Sequence, residues 1–386
     1  MSFIQTLNLT HFRSYNTAAL EDLPAGFVVL HGDNGAGKTN ILESVSLLAP
    51  GRGLRNAKLD DIQNDQKHDQ KHDMPWSVSA RLGGPYENTR IGTGGDPNKQ
   101  NRRLIRINGE NAKGQHMLGE YLSCVWLTPQ MDGLFLDAAA SRRRFLDRLV
   151  FGFDSGHAGR VTRYENAMRQ RSRLLQESRV PDATWLSSLE RQIAQTGVSI
   201  AAARHDFVQR LQNACDQIGP ADESLFPRAA INLQGTIEDL LTKAPAIEVE
   251  TNFIQQLEKN RPRDSITGGA AIGPHKSDLL IHYANKNMQA AQCSTGEQKA
   301  LLIGIILAHA RLIKANKGHA PILLLDEVAA HLDDRRRRAL YDILEALGGQ
   351  VWLTGTDMSL FAPLQNRAAL YQIAHSSVTD RLKIVA

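Results

Sequence analysis

A glycine-rich segment at residues 32–39 constrains the fold of this chain more than any other feature. Its sequence, Gly-Asp-Asn-Gly-Ala-Gly-Lys-Thr, fits the pattern G-x-x-x-x-G-K-[ST]. The apolar run 27–31 before it predicts a buried strand, and residues 40–48 after it predict a helix with an apolar stripe. A strand, a glycine-rich turn and a helix together predict an α/β sheet that binds the phosphates of a nucleoside triphosphate.

Each residue type in this segment has a chemical reason to be there. Glycines let the backbone turn tightly and direct several N–H groups towards one point. We expect Lys38 to reach the β- and γ-phosphates of ATP and the Thr39 hydroxyl to bind Mg²⁺. The predicted nucleotide-binding residues of this segment are Gly32, Asp33, Asn34, Gly35, Ala36, Gly37, Lys38, Thr39 and Asn40.

A second nucleotide signal lies near the C-terminus, where the apolar run 322–325 is followed by Asp326 and Glu327. Four apolar residues predict a buried parallel strand that places both carboxylates at its carboxyl end. We expect Asp326 to hold Mg²⁺ and Glu327 to orient or deprotonate the attacking water. A strand that ends in acids is common by itself, but together with the segment at 32–39 it predicts ATP hydrolysis.

Composition excludes several classes of protein. The chain has 386 residues, 42% of them hydrophobic, which suffices for two domains or for one large domain with an insertion. No apolar run reaches about 18 residues, and the N-terminus lacks a basic region before an apolar one, so we expect neither a membrane helix nor a secretory signal. Three scattered cysteines predict no disulfide framework or zinc site, which favours the reducing cytoplasm. A net charge of +4 permits a polyanionic partner.

The remaining patterns predict how the chain is organised. Alternating residues at 76–82 and 103–107, with glycine-rich turns between them, predict an antiparallel β-layer beside the sheet of the glycine-rich segment. Residues 3–9 and 18–23 predict two strands that precede the strand at 27–31. Helical periodicity dominates from about 142 to about 257. Further expected elements are strands at 270–273, 278–283 and 350–354 and helices at 297–314 and 336–347. A tandem Asp-Gln-Lys-His repeat at 65–72 predicts an exposed loop.

The segment 293–299, Cys-Ser-Thr-Gly-Glu-Gln-Lys, resembles the signature motif of ABC-type ATPases at Ser294 and Gly296 and departs from it at other positions. The resemblance implies that this segment contacts the γ-phosphate bound to a second protomer. An ordinary helix N-cap is a compatible interpretation of the same residues.

Other positions resemble further motifs of that class. Residues 330–333 resemble the D-loop, which implies that Asp333 lies across a dimer interface. Gln130 is a candidate for the Q-loop, with a role in catalysis and as a Mg²⁺ ligand. Thr354 lies on the strand that commonly carries a switch histidine, so a γ-phosphate sensor here must be a hydroxyl or another group.

Taken together, the motifs resemble a split ABC-type head, as in structural-maintenance and Rad50 ATPases, and more narrowly the RecF family of bacterial recombination mediators. The blocks that carry the narrower resemblance are residues 12–15, 141–147, 164–175, 273–279 and 326–333. The resemblance implies an α/β P-loop ABC-type ATPase head at 1–140 and 268–386, with an antiparallel β-layer and an inserted helical arm domain at 141–267. It also places Arg13 among the nucleotide-binding residues.

The same resemblance implies a function. RecF proteins are weak, DNA-stimulated ATPases that bind double-stranded DNA beside single-strand gaps as an ATP-dependent homodimer. With RecR and RecO they help to load RecA, which supports gap repair, replication and SOS induction. The alternatives are another structural-maintenance-like DNA-acting ATPase, a transporter nucleotide-binding subunit, and a non-hydrolytic scaffold.

Arginines are concentrated in two runs, 142–144 and 335–338. Each run opens a predicted helix, where positive charge opposes the helix dipole, so a compensating partner is expected. DNA phosphate is one candidate, and the neighbouring acids Asp147, Asp333 and Asp334 are the other. Further phosphate candidates are Arg102, Arg103 and Lys113.

Overall fold

The computed structural model of the chain describes residues 2–63, 75–177, 182–217, 225–374 and 377–381. The chain divides into two compact units. The first comprises Met1–Asp132, Pro220–Phe226 and Ile306–Ala386, and the second comprises Gly133–Gly219 and Pro227–Ile305. The division into a head and an arm at residues 140 and 267 stays a prediction, and the Asp-Gln-Lys-His repeat lies outside the described residues.

The first unit contains the predicted antiparallel β-layer. Its strands are β1 Phe3–Phe12, β2 Tyr15–Leu20, β4 Ser77–Gly83, β5 Arg90–Asp96, β6 Lys99–Ile107 and β7 Glu110–Asn111. They pair in the order β2-β1-β4-β5-β6-β7. One face of the layer is buried, as the alternation of apolar residues along β1 and β4 predicts.

The sequence does not predict strand β5, because its glycines indicate turns. Gly92 and Gly94 lie inside the strand, opposite Ser79 and Ser77 of β4. A Cβ atom at Gly94 would lie 2.6 Å from the Trp76 carbonyl oxygen, so the neighbouring backbone comes too close for any side chain. These glycines therefore permit a close approach of two strands and do not end one.

A second sheet of the first unit carries the glycine-rich segment. Its strands are β3 Phe27–His31, β8 Cys124–Leu127, β12 Ile322–Leu325, β13 Val351–Gly355, β14 Ala368–Ala374 and β15 Ser377–Arg381. The order is β15-β14-β3-β13-β12-β8, and all neighbours are parallel except β14 and β15. Every residue of β3, β12 and β13 is buried, which explains why these strands consist mainly of apolar residues. Because they are parallel, β3, β8, β12 and β13 end at one edge of the sheet.

Helix α1 spans Lys38–Ser46 and begins directly after the glycine-rich segment. It buries Ile41, Leu42 and Val45 completely. These side chains share one hydrophobic core with residues of both sheets, including Leu7 of β1 and Trp352 of β13. The start of α1 is therefore fixed against the carboxyl edge of the parallel sheet by packing along the whole helix.

The second unit is mainly helical, as predicted, but it also contains a small sheet. Its complete helices are α2 Ala139–Phe151, α3 His157–Glu177, α4 Ala183–Asp216, α5 Thr236–Leu241, α6 Ala246–Lys259 and α7 Arg261–Thr267. Strands β9 Ala229–Gln234, β10 Asp278–Tyr283 and β11 Met288–Gln289 form an antiparallel sheet in the order β11-β10-β9. The expected strand at 270–273 is wrong, because these residues form a loop in which Gly273 has a φ of 137°.

Two further helices complete the described structure, α8 Thr295–Lys317 and α9 Asp334–Leu347. Both predicted helices are confirmed and are longer than expected at their N-termini. Among the described residues, no helix has the length and apolarity needed to cross a membrane.

A buried ionic cluster joins three helices of the second unit. Arg171 of α3 is 1% exposed and donates to Glu190 of α4 at 3.0 Å and to Asp264 of α7 at 2.8 Å. Its remaining terminal nitrogen donates to the Leu257 carbonyl oxygen at 2.7 Å. Arg261 also pairs with Glu190, at 2.5 Å. Removing Arg171 would thus leave a buried carboxylate at Asp264 without its counter-charge.

We predict that Arg171→Ala destabilises the second unit by about 3–5 kcal/mol, because it leaves an uncompensated buried charge. Scanning calorimetry of the whole chain would measure the change in melting temperature. Arg173→Ala is the matched control, since Arg173 is 77% exposed and pairs only at 3.5 Å with Glu177 one turn away. Its expected cost is about 0–1 kcal/mol. Equal melting temperatures for the two variants would contradict a stabilising role for the cluster.

Candidate nucleotide-binding site

The glycine-rich segment connects β3 to α1 through backbone conformations that require glycine. Gly32, Gly35 and Gly37 have φ angles of 152°, 80° and 111°. A Cβ atom at Gly32 would lie 2.1 Å from the Ile373 carbonyl oxygen, and one at Gly37 would lie 2.5 Å from the Tyr15 hydroxyl. The segment can therefore adopt this tight turn only because these positions lack side chains.

The ammonium group of Lys38 folds back over the segment. Its Nζ donates to the Gly32 carbonyl oxygen at 2.6 Å and to the Asp33 carbonyl oxygen at 2.8 Å, and the residue is 5% exposed. Burial lowers the pKa of Lys38, and the negative charges of Glu327, Asp326 and Asp33 oppose that effect. A cation held over a turn of backbone N–H groups at a helix N-terminus is suited to bind phosphate oxygens.

The predicted acidic strand ends beside this loop. Thr39 Oγ1 lies 3.0 Å from each carboxylate oxygen of Asp326, although the two residues are 287 positions apart in sequence. Asp326 is 5% exposed, so its charge is held in a largely dry position. The sequence prediction that the glycine-rich segment and the acidic strand form one site is consistent with this contact.

A third side chain joins the two acids, and sequence reasoning did not assign it this role. Thr354 Oγ1 donates to Asp326 Oδ1 at 2.7 Å and accepts the backbone N–H of Glu327 at 2.9 Å. Glu327 has a φ of 55°, in the left-handed region that non-glycine residues rarely adopt. The Thr354 hydroxyl was expected as a candidate γ-phosphate sensor, whereas here it bonds both acidic residues. Only its position at the end of a buried strand was visible in the sequence.

The donor set fits Mg²⁺ when a triphosphate supplies further oxygens. Thr39 offers a hydroxyl and Asp326 a carboxylate, and Mg²⁺ is commonly held by one or two carboxylates together with substrate phosphates. Among the described residues, no group of three or more His, Cys, Asp or Glu side chains could hold a metal by itself. Gln130 is exposed in the turn Pro129–Met131 after β8, at the same sheet edge as Asp326, and its predicted ligand role stays a prediction.

Arg13 lies beside α1 and is held there by Glu43. Its Nε and Nη2 donate to the two carboxylate oxygens of Glu43 at 2.9 and 2.7 Å, and Glu43 is 1% exposed. Arg55 bonds the same carboxylate at 2.8 Å and the Asn40 side-chain oxygen at 2.7 Å. Asn40 also donates to the Ser14 hydroxyl at 2.8 Å. Arg13 and Asn40 thus belong to one network along α1, next to the glycine-rich segment.

The signature-like residues form a capping box at the start of α8 in the second unit. Ser294 donates from its backbone N–H and its hydroxyl to Glu297 Oε2 at 2.9 and 2.8 Å. Lys286 pairs with the same carboxylate, and these hydrogen bonds lower the pKa of Glu297 to about 2. Space is open around Gly296, where a Cβ atom would meet nothing within 4 Å. The interpretation of Ser294 as an N-cap and its predicted phosphate contact remain compatible.

Asp333, the predicted D-loop residue, caps helix α9. Its carboxylate accepts the backbone N–H of Arg336 at 2.8 Å and lies 3.8 Å from the guanidinium group of the same residue. Asp334 pairs with Arg337 at 3.2 Å. The run 335–338 is therefore balanced in part by its own neighbouring acids, as one of the two sequence interpretations proposed.

The run 142–144 serves mainly to hold the loop at 273–278. Arg142 Nε donates to Asp278 at 2.7 Å, and Arg143 donates to the Ser277 carbonyl oxygen at 2.8 Å. Arg204 fixes the same loop through the Pro274 carbonyl oxygen at 2.6 Å. The third arginine of the run, Arg144, donates to the Ser141 hydroxyl at 3.0 Å, so all three are bonded within the protein.

His275 is also structural. Its Nε2 donates to the Ala270 carbonyl oxygen at 3.0 Å, so its Nδ1 accepts the Tyr164 hydroxyl at 2.6 Å. Burial lowers the pKa of His275, and the nearby positive charges add to this effect. Both ring nitrogens are used, and Lys276 is the exposed side chain of this turn.

Arg103 was a phosphate candidate, but it lies against the end of α1. Its guanidinium donates to the Leu47 carbonyl oxygen, to the Gly51 carbonyl oxygen at 2.6 Å and to the Thr93 hydroxyl at 2.6 Å. Burial lowers its pKa to about 10. A cation at a helix C-terminus satisfies the free carbonyl groups and stabilises the helix dipole, which explains this position.

Two glycine substitutions separate steric from conformational effects in the phosphate-binding turn. We predict that Gly32→Ala lowers the melting temperature and abolishes nucleotide binding, because the new methyl group overlaps the backbone at Ile373. Gly35→Ala is the matched control, since nothing lies within 4 Å of its Cβ position. Gly35→Ala should lower the free energy of unfolding by only about 1–2 kcal/mol, because alanine is strained in the left-handed conformation. Thermal denaturation without nucleotide measures the stability of both variants. An equal fall in melting temperature would contradict the close contact between Gly32 and Ile373.

Comparison with known proteins identifies the family. The family model described as RecF/RecN/SMC N terminal domain matches residues 3–377. The chain is 46% identical over 378 residues to the DNA replication and repair protein RecF of Rhizobium rhizogenes, with 98% of each chain covered. It is 48% identical over 376 residues to the protein of the same name from Mesorhizobium japonicum, with 97% of each chain covered.

A solved structure supports the fold. The recombination mediator protein RecF-ATPrS of the RecFOR pathway superposes with a TM-score of 0.84 at 20% identity, covering 99% of this chain and 98% of that one. The α/β fold with an antiparallel and a parallel sheet, predicted from sequence, is thereby confirmed. On the family model and the full-length sequence identity, this chain belongs to the RecF family of SMC-like proteins.

Proposed function

We propose that this chain is an ATP-dependent, DNA-binding ATPase of recombinational repair, with Mg²⁺ as its cofactor. The observation that carries the proposal is the contact between Thr39 and Asp326, which joins a phosphate-binding loop to a catalytic-type acidic pair. Full-length relatives named DNA replication and repair protein RecF support the DNA-repair role. We expect the protein to act in the cytoplasm.

The residues of the site divide the work of hydrolysis. The backbone N–H groups of residues 32–39 bind the phosphates, and Lys38 leaves its carbonyl partners to meet the β- and γ-phosphate oxygens. Thr39 and Asp326 would hold Mg²⁺, which would neutralise charge on the phosphate oxygens. Glu327 orients the attacking water and accepts its proton. The main contribution to rate is positioning and charge stabilisation, as is usual in phosphoryl transfer.

The site is completed by a second copy of the chain. In the proposed homodimer, the N-terminus of α8 with Ser294 and Gly296 of one protomer faces the triphosphate held by residues 32–39 of its partner. The helix N-terminus provides free N–H groups and partial positive charge for the γ-phosphate. Asp333 lies across the dimer interface, and Gln130 serves catalysis as a further ligand of Mg²⁺. ATP therefore acts as the link that closes two protomers.

Closure couples nucleotide to DNA. The closed dimer binds double-stranded DNA next to single-strand gaps through sequence-independent phosphate contacts, so binding falls with rising salt. With RecR and RecO it promotes RecA loading, which supports gap repair, replication and SOS induction. DNA stimulates a weak ATPase, and hydrolysis opens the dimer and releases the DNA.

We predict that Glu327→Gln traps the ATP-bound dimer on DNA, because the amide keeps the shape of the side chain but cannot accept the proton of water. Sedimentation with ATP, with ADP and without nucleotide, each with and without gapped DNA, measures the association. Wild-type protein should dimerise only with ATP, and the variant should remain dimeric on DNA after wild-type complexes have dissociated. A variant that hydrolyses ATP at the wild-type rate would remove Glu327 from its proposed role.

A mixing experiment tests whether two protomers share each site. Lys38→Ala disables the phosphate-binding loop and Ser294→Ala disables the signature, so each variant alone should be inactive. In a mixed dimer one site contains both defects and the other contains neither. Random mixing should therefore restore about a quarter of wild-type ATP turnover, because half of the dimers carry one intact site of two in a symmetric assembly.

The outcome of mixing distinguishes the sharing of sites from simple loss of folding. Thermal denaturation of each variant provides the control, and both should unfold within a few degrees of wild type. If the equimolar mixture stays as inactive as the separate variants although both are folded, each protomer holds a complete site and the shared dimer is refuted.

A further inference from the structure

We propose that Thr354 is a positioning residue for hydrolysis, whose single hydroxyl fixes Asp326 and Glu327 relative to each other. The inference rests on the proposed ATPase function and adds a residue to it. Thr354 does not act as a γ-phosphate sensor in this role, since its hydroxyl is used within the protein.

The strand that carries Thr354 holds its hydroxyl in a fixed position between the phosphate-binding turn and the acidic pair. Strand β13 lies between β3, which leads into the phosphate-binding turn, and β12, which leads into the acidic pair. Thr354 is 1% exposed and lies opposite Leu30 of β3, one residue beyond the register pair of Leu353 with Leu325 of β12. Its hydroxyl is therefore held by a central strand that is buried throughout.

The Thr354 hydroxyl acts both as a hydrogen-bond donor and as an acceptor. A threonine hydroxyl has one proton to donate and lone pairs to accept. Here the proton goes to Asp326 Oδ1 at 2.7 Å, and a lone pair accepts the N–H of Glu327 at 2.9 Å. One side chain thus contacts the proposed Mg²⁺ ligand and the backbone of the proposed base at the same time.

The second bond holds a strained residue. Glu327 has a φ of 55°, and such a conformation in a non-glycine residue persists only when its surroundings enforce it. The bond to Thr354 is one such constraint, because it fixes the N–H that would turn away if the backbone relaxed. The backbone sets the direction in which the Glu327 side chain leaves Cα, so the Thr354 hydroxyl helps to fix the starting point of that side chain.

These contacts form a continuous chain from the nucleotide loop to the base. Thr39 of α1 lies 3.0 Å from both oxygens of Asp326, Asp326 accepts from Thr354, and Thr354 accepts from Glu327. A change at Thr39 on nucleotide binding would thus reach the backbone of Glu327 through three hydrogen bonds. The arrangement thus couples the position of Glu327, the proposed base, to the binding of phosphate at residues 32–39.

The test compares Thr354→Val with Thr354→Ser. Valine keeps the shape of threonine and removes both hydrogen bonds, whereas serine keeps the hydroxyl. We expect Thr354→Val to lower kcat about 10- to 100-fold, the effect of a misplaced catalytic group, while the dissociation constant for ATP stays unchanged. Thr354→Ser should recover most of the turnover. The matched control is Thr196→Val, which removes a buried threonine hydroxyl from α4 in the other unit and should leave kcat unchanged.

A second readout does not depend on turnover. Hydrogen–deuterium exchange of the peptide that contains residues 325–328 should speed up in Thr354→Val and stay at the wild-type rate in Thr354→Ser. The positioning role is overturned if Thr354→Val keeps wild-type turnover and exchange, or if ATP affinity falls in parallel with kcat. Absence of ATP turnover in the wild-type protein would instead refute the proposed function, and the exchange result would still decide whether Thr354 holds Glu327.

Discussion

The nucleotide site of the first unit depends on the contact between the first turn of α1 and the end of β12. Thr39 and Asp326 meet at 3.0 Å only because both the helix and the strand are fixed by one hydrophobic core. Ile41, Leu42 and Val45 bury the helix, and the unbroken apolar run of β12 buries the strand. Polar groups at the edge of this core are therefore positioned by apolar residues that never touch the nucleotide. The apolar core therefore fixes the geometry of a site whose phosphate-binding turn is rich in glycine.

The parts of the site that sequence predicts are those whose chemistry is local. The phosphate-binding turn and the acidic strand each depend on a few adjacent residues, and both have the predicted structure. Thr354 and Arg103 could not be assigned from sequence, because most of their partners lie 27 to 56 positions away and are mostly backbone atoms. A backbone carbonyl has no residue type, so no pattern in the sequence marks it as a partner.

The misread elements have similar physical causes. The sequence indicates turns where strand β5 lies, because glycine occurs both in turns and where two strands approach closely. Only the neighbouring strand shows that Gly94 permits such a close approach. The sequence does not indicate strand β9 within the predicted helical region, because its partner, β10, follows 44 residues after it. In contrast, two sequence blocks that seemed independent proved to be one feature, since Arg142 and Arg143 hold the loop at 273–278. The two blocks that carry the sequence resemblance thus contact each other in a single packed loop.

The capping box at α8 bears on why the proposed dimer should be reversible. In the lone chain the Ser294 hydroxyl donates to Glu297, whose charge is balanced by Lys286. A γ-phosphate that approaches this helix replaces one anionic acceptor by another, so the gain in hydrogen bonding is smaller than for a free hydroxyl. The ion pair also reduces repulsion between Glu297 and the incoming phosphate. In the proposed dimer, closure would depend on the summed contacts of two shared sites, so each γ-phosphate that is lost would weaken the dimer.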